Sequence, residues 1–139
     1  MLESTTFGKT VELLKRSMDV TVLRRDVIAN NIANAGVPNY KRSEINFESS
    51  LRRALDSENL KPALDLATTD ERHMPLWRPA DWRTVQPRRV LDYLTQSKNN
   101  GNNVDAEQEM MDSLSNQLMY TLMSQAAAFE FNQVNQALK

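Results

Sequence analysis

Cysteine is missing from all 139 residues, and with it go disulfides, thiol catalysis and thiolate metal sites. Histidine occurs once, at His73, and glycine three times. One imidazole without a spaced partner makes a poor metal or acid–base site, and a loop or capping role suits it better. Three glycines can hardly build the G-x-x-x-x-G-K-[ST] or G-x-G-x-x-G loops that cradle phosphates, and no G-x-S-x-G nucleophile elbow is present. No run of about 18 apolar residues occurs, so no membrane-spanning helix is expected. The opening residues MLESTTFGKTVELLKRS lack a basic segment ahead of an apolar core. A cleaved secretory signal is therefore not expected, and any export would use another route. Together these absences point away from an enzyme and leave no expected catalytic residue, cofactor, metal or small-molecule substrate.

Hydrophobic residues make up 40% of the chain, enough for one domain with an ordinary core. The net charge of −1 conceals a gradient. Residues 1–53 carry nine Lys/Arg against six Asp/Glu, and residues 101–139 carry one Lys against five acids. Chance variation in solvated faces explains this, as does a placement of the terminal segments beside each other, within or between subunits, with complementary fields. Arg24-Arg25, Lys41-Arg42, Arg52-Arg53 and Arg88-Arg89 are paired bases, and Trp77 and Trp82 could stack on nucleobases. Acids interleave with those pairs and the pI is about 5.8, so no nucleic-acid partner is expected. In PLWRPADWR the two tryptophans more naturally pin a Pro-rich loop onto helices, or mark a contact surface.

From Phe7 to about Asn34 the period is helical. Phe7, Val11, Leu14, Met18, Val22 and Ala29 form one apolar stripe, with Ile32 at its edge. Leu13, Val20 and Val27 repeat every seven residues, joined by Leu23, on roughly the opposite side. Glu12, Lys15, Asp19 and Asp26 run between the stripes, so a single neighbouring helix cannot cover both. The segment ends in IANNIANAGVPNYKR (Ile28–Arg42). Asn34 and Gly36 are candidates for the left-handed conformation that closes a helix, and Val37, before Pro38, is pushed toward extended geometry.

A turn-rich spacer, Asn99-Asn-Gly-Asn-Asn103, precedes the second long segment. Asp105 is its expected N-cap, with Glu107 and Glu109 in a first turn that favours negative charge. Met111, Leu114, Leu118, Leu122 and Phe129 then form an apolar seam. Tyr120, Phe131, Val134 and Leu138 add apolar surface away from it, and Met110, Met119 and Met123 suit packing against several slightly different neighbours. Neither Gly nor Pro interrupts residues 104–139. The two helices would span roughly 40 and 50 Å at 1.5 Å per residue, a length that suggests coiled-coil packing. Between them Phe47–Leu55 reads as two or three helical turns, and Pro62, Pro75, Pro79 and Pro87 exclude long helices. Short extended pieces are expected near Leu64–Ala67 and Val90–Leu94. The fold class is thus mainly α. Two long terminal helices pack as an antiparallel coiled coil around an irregular, Pro-containing middle that could hold short strands. The expected divisions are 1–46 (helix and turn), 47–100 (short helix and loops) and 101–139 (second helix), with the two long helices forming one coiled-coil domain.

The string ANNIANAGVPNYKR resembles the signature of the bacterial flagellar axial proteins, the rod, hook and hook-associated families. The matching positions are Asn30, Asn31, Ile32, Asn34, Gly36, Pro38, Asn39, Tyr40 and Lys41. Asn39 stands where glycine is commoner in those families, and asparagine tolerates the same left-handed geometry. Three further strings narrow the resemblance to the proximal-rod protein, the FlgB family. Asn46–Leu51 is similar to its xFxxxL continuation. Thr68–His73 is similar to its Thr-x-x-x-His stretch, which would make His73 a family feature of the loop. Gly101–Met111, leading to Asn116–Tyr120, is similar to the start of its C-terminal helix. Leu76–Arg83 matches nothing in the pattern.

This resemblance implies a structural subunit of the basal-body rod, with no reaction to catalyse. It further implies export by the flagellum's own type III apparatus without a cleaved signal, and a periplasmic location. Helical assembly around the export channel would use the terminal helices, and the rod would help transmit motor torque. Implied partners are other copies of the chain, other rod proteins, the rod–ring adaptor, the inner-membrane ring protein and the export apparatus. The residues expected to carry packing and assembly are Phe7, Val11, Leu14, Met18, Leu13, Val20 and Val27 at one end, with Met111, Leu114, Leu118, Leu122, Phe129, Phe131, Val134 and Leu138 at the other. The alternative reading is a cytoplasmic helical adaptor or export chaperone that binds one partner through the same stripes.

Overall fold

A computed structural model describes residues 6–59, 70, 72, 79–95 and 99–138. The chain is mainly helical. Helix α1 spans Thr6–Ala33, strand β1 Ser43–Asn46, helix α2 Glu48–Asn59, a 3-10 turn Trp82–Thr84, strand β2 Arg88–Leu91 and helix α3 Ala106–Ala137. It divides into two compact units, Met1–Ile45 with Arg89–Lys139, and Asn46–Arg88. Among the described residues no helix is long and apolar enough to cross a membrane.

In the first unit α1 and α3 pack against each other. They run antiparallel, because Phe7, Thr21 and Asn31 meet Phe131, Asn116 and Glu109 in turn. With 28 and 32 residues the helices are about 42 and 48 Å long. Asp105 caps α3, its carboxylate accepting from the amides of Glu107 at 3.0 Å and Gln108 at 3.4 Å. Strands β1 and β2 pair as a two-stranded sheet. The amide of Asp92, just past β2, donates to the carbonyl of Arg42, just before β1, at 2.9 Å, so these strands are antiparallel too. The chain then turns at Asp92, whose carboxylate accepts from the amides of Leu94 and Thr95. Those bonds end the extended stretch before Leu94.

The second unit holds α2 and the 3-10 turn, which pack together. The carbonyl of Phe47 accepts the first helical bond of α2 from Leu51 at 2.9 Å, and its ring is buried. The helix continues past Leu55 to Asn59, since no proline intervenes before Pro62. Ser57 bonds the amide of Ala80 at 3.0 Å. Trp82 is buried, with the Arg83 guanidinium 4.8 Å from its ring centroid. Leu64–Ala67, His73 and Trp77 lie outside the described residues.

Candidate functional site

The signature string and the spacer before α3, about sixty residues apart in sequence, form one polar clasp at the closed end of the helix pair. The last turn of α1 unwinds through right-handed turns. The Asn34 amide donates to the carbonyls of Asn30 and Asn31, Ala35 to Ile32, and Val37 to Asn34. Among the described residues the positive φ angles belong to Asn39, at 58°, and Gly101, at 77°. The expectation that Asn34 or Gly36 would adopt the left-handed conformation is therefore corrected. Neither is needed to turn the chain, because residues 34–37 keep satisfying carbonyls in right-handed geometry and the reversal is deferred to Asn39. There the Asn39 amide donates to the carbonyl of Asn100 at 3.0 Å. At φ 77° Gly101 holds a backbone conformation that favours glycine, and a Cβ there would lie 2.5 Å from Asn39 Oδ1, so the Asn39 side chain would have to move aside.

Read only as a turn-rich spacer, Asn99–Asn103 hides its main role. Asn102 is fully buried, and its amide nitrogen donates to the carbonyls of Asn34, Ala35 and Val37 at 3.0, 3.2 and 2.8 Å. It thereby ties together the carbonyls of the turn that follows the last residue of α1, Ala33. Its oxygen accepts from the Val104 amide at 2.7 Å. Asn103 Oδ1 accepts from the Arg42 amide at 2.6 Å, while its nitrogen donates to the Asp92 carbonyl at 2.7 Å. Lys41 Nζ donates to the Gly101 carbonyl at 2.8 Å.

Asn31 stands at the centre, fully buried on the inner face of α1. Its side chain brackets Ser43, Nδ2 donating to the carbonyl at 2.9 Å and Oδ1 accepting from the amide at 3.1 Å. The same Nδ2 lies 3.2 Å from both carboxylate oxygens of Glu109, and Tyr40 Oη donates to Asn31 Oδ1 at 3.4 Å. Glu109 is fully buried and pairs with Arg42 Nε. Arg42 also reaches Glu44 and Asp112. The first-turn, dipole-directed reading of Glu109 is thus incomplete. Its position in the turn is right, but it points into the molecule, where a carboxylate needs a charged and hydrogen-bonded partner.

The apolar positions fall unevenly. On α1, Val20 and Val27 are buried with Ile28, while Leu13, Phe7, Val11, Leu14 and Met18 are half-buried. On α3 the buried residues are Glu109 and Asn116, not the seam. Met111, Leu114, Leu118, Leu122 and Phe129 are 57–65% exposed. At about 100° per residue, Leu114, Leu118 and Leu122 lie about 140–220° around the helix from Glu109, on its far side. Phe131 meets Phe7 edge-on, ring centroids 5.6 Å apart, Val134 is half-buried and Leu138 exposed. Ile32 is half-buried, and Asn30, Gly36, Pro38 and Asn39 are exposed. Among the described residues no group of acidic or histidine side chains could hold a metal ion.

Residues 23–41, the end of α1 and the turn, match the family model described as Flagella basal body rod protein. The class is therefore that of rod proteins of the bacterial flagellum. Along nearly its whole length the chain is 41% identical to the flagellar basal body rod protein FlgB of Borreliella burgdorferi, over 133 residues covering 96% of this chain and 98% of that protein. It is 30% identical to FlgB of Bacillus subtilis over 132 residues, 95% of each chain, and 30% identical to FlgB of Aquifex aeolicus over 129 residues, 93% and 92%. The chain belongs to the FlgB family of flagellar basal body rod proteins, which are structural subunits and not enzymes.

Proposed function

We propose that this rod subunit assembles helically with copies of itself and with other rod proteins, through the outward face of α3 and the exposed side of α1. The observation that carries the reading is the seam itself. Leu114, Leu118, Leu122 and Phe129 are 57, 57, 62 and 60% exposed, and Met110, Met111, Met119 and Tyr120 extend the apolar surface around the helix. Contiguous exposed apolar surface of this kind is characteristic of an interface. In the assembled rod the long helices line the export channel in the periplasm, and the rod carries torque outward from the motor. The rod–ring adaptor, the inner-membrane ring and the export apparatus are its remaining neighbours, and delivery proceeds without a cleaved signal. Asn39, Tyr40, Lys41 and the other signature residues act from behind this surface, by holding the helix pair closed.

Cryo-electron microscopy of purified basal bodies tests the reading. The expected result is density for this chain in the rod, with α1 and α3 facing a central channel and the Leu114–Leu118–Leu122 face covered by a neighbour. Recovery of the chain solely as a soluble complex with one partner would overturn it.

A further inference from the structure

We infer that the polar residues buried between α1 and α3 set which faces of the two helices meet and in which register, a choice their apolar patterns leave open. Helix α1 carries two apolar stripes. Around α3 the apolar residues lie on nearly every side, and the strongest seam, Leu114–Leu118–Leu122, points outward. A pairing driven by apolar area alone would turn that seam inward. The residues that α3 buries are instead the polar Glu109 and Asn116, while α1 buries Thr21 and Asn31 beside Val20, Val27 and Ile28. Asn116 Nδ2 donates to the Thr21 carbonyl at 2.8 Å, Asn31 reaches Glu109, and Arg42 reaches Glu109 and Asp112. These partners exist at one register. A slip of one heptad, about 10.5 Å along the axis, would leave Glu109 buried and uncompensated and strand Asn31 and Asn116.

Stability alone does not explain this choice. Ser43 Oγ and Asn116 Oδ1 are buried without a protein hydrogen-bond partner, and a buried ion pair often stabilises less than apolar residues of the same volume. Fixing register is the best-attested use of such groups. Asn31, Glu109, Asn116 and Arg42 are thus positioning residues. By holding one face of α3 inward they keep the opposite face outward. That consequence for neighbours rests on the assembly reading above, whereas the selection of register within one subunit does not.

The absence of cysteine makes the test direct. Three pairs of introduced cysteines, each in the full chain, report on register. Phe7→Cys with Phe131→Cys marks the observed register, since these rings touch. Phe7→Cys with Ser124→Cys, and Phe7→Cys with Leu138→Cys, mark slips of one heptad either way. Oxidation is carried out at dilution, intermolecular products are removed by mass, and helicity is checked by circular dichroism. In the otherwise native chain the observed-register pair should outweigh each slipped pair by at least about tenfold, which corresponds to about 1.4 kcal/mol of preference. With Glu109→Leu and Asn116→Leu added, that ratio should fall toward one while helicity persists. Glu109→Gln, which keeps the shape and most hydrogen bonds, should retain most of it. Should the double variant lose helicity, Asn116→Leu alone, which spares the Arg42–Glu109 pair, is read the same way and should lower the ratio. Comparable yields of all three pairs in the native chain would overturn the inference. So would an unchanged ratio in a helical Glu109→Leu, Asn116→Leu chain. Neither result bears on whether the subunit enters the rod, because every measurement is made on single chains.

Discussion

Asn102 shows how one side chain ties together two distant strings. Its amide serves three carbonyls of the turn after α1 while its own position is set by the turn ahead of α3. Asn102→Ala would leave the buried Val104 amide without its acceptor and take a donor from three part-buried carbonyls, so we expect it to cost about 1–3 kcal/mol in denaturant unfolding of dilute chain. Asn99→Ala, at an exposed position, should fall within about 0.5 kcal/mol of the parent. Equal effects would refute this role of Asn102. Gly101 gives a sharper case. Gly101→Ala brings both a left-handed backbone penalty and a collision with the Asn39 side chain. It should cost on the order of 1 kcal/mol or more. In an Asn39→Gly background part of that cost should vanish, leaving a coupling of at least about 0.5 kcal/mol in the double-mutant cycle. Strict additivity would show that the collision does not matter.

The turn after β2 has a pH signature of its own. The Thr95 hydroxyl, then the amides of Leu94 and Thr95, donate to the Asp92 carboxylate and hold its pKa below the ordinary value of 3.8. A depressed folded-state value means that the turn is stabilised above the unfolded-state pKa and loses that stabilisation as the pH falls through the folded one. The Leu94 and Thr95 amide resonances should therefore titrate with a midpoint below 3.8. A midpoint at or above the ordinary value would contradict the hydrogen-bonded turn.

The segment leading into β1 and helix α3 meet through a charge pair whose partners differ in exposure. Glu109 is sealed, while the Arg42 side chain is 19% exposed. Arg42→Ala would leave the carboxylate buried without its cation, a change that costs about 3–5 kcal/mol. Arg42→Lys should recover little of this, since one ammonium cannot reproduce a guanidinium that reaches Glu109, Glu44 and Asp112 together. Thermal unfolding of both variants checks the point, and a fully restored midpoint in the lysine variant would show that charge alone suffices. The positions of α1, α2 and α3 were legible in the sequence to within a few residues, from apolar period, the Asp105 cap and the absence of glycine and proline. The burial of Glu109 was not. A glutamate in a first helical turn satisfies the dipole equally well facing in or out, and its partner Arg42 lies 67 residues earlier.

The outward seam belongs to the whole molecule and to what surrounds it. Leu118 is 57% exposed, so Leu118→Asp should change the unfolding free energy of the dilute subunit by less than about 0.5 kcal/mol. The same change would bury an unpaired charge in any contact across the seam and should abolish incorporation into the rod and motility. Lys98→Ala should do neither. Motile cells carrying Leu118→Asp in their rods would remove the seam from the interface. Because the helices carry more apolar surface than their pairing covers, the isolated chain should also gain helicity or aggregate as its concentration rises, which circular dichroism over a dilution series would follow.

Composition and period were enough to determine a cysteine-free chain with long terminal helices and a turn after the first, since those properties depend on residues near one another, while the rod family was legible only as a resemblance carried by the string from Ile28 to Arg42 and the strings after it. Only the tertiary structure decided which side of each helix faces inward, which asparagine turns the backbone and where the buried charge lies. Each of those outcomes is a competition between local arrangements of similar free energy. Partners about 60–95 residues away in the chain resolve it, by supplying hydrogen bonds at one geometry and withholding them at every other.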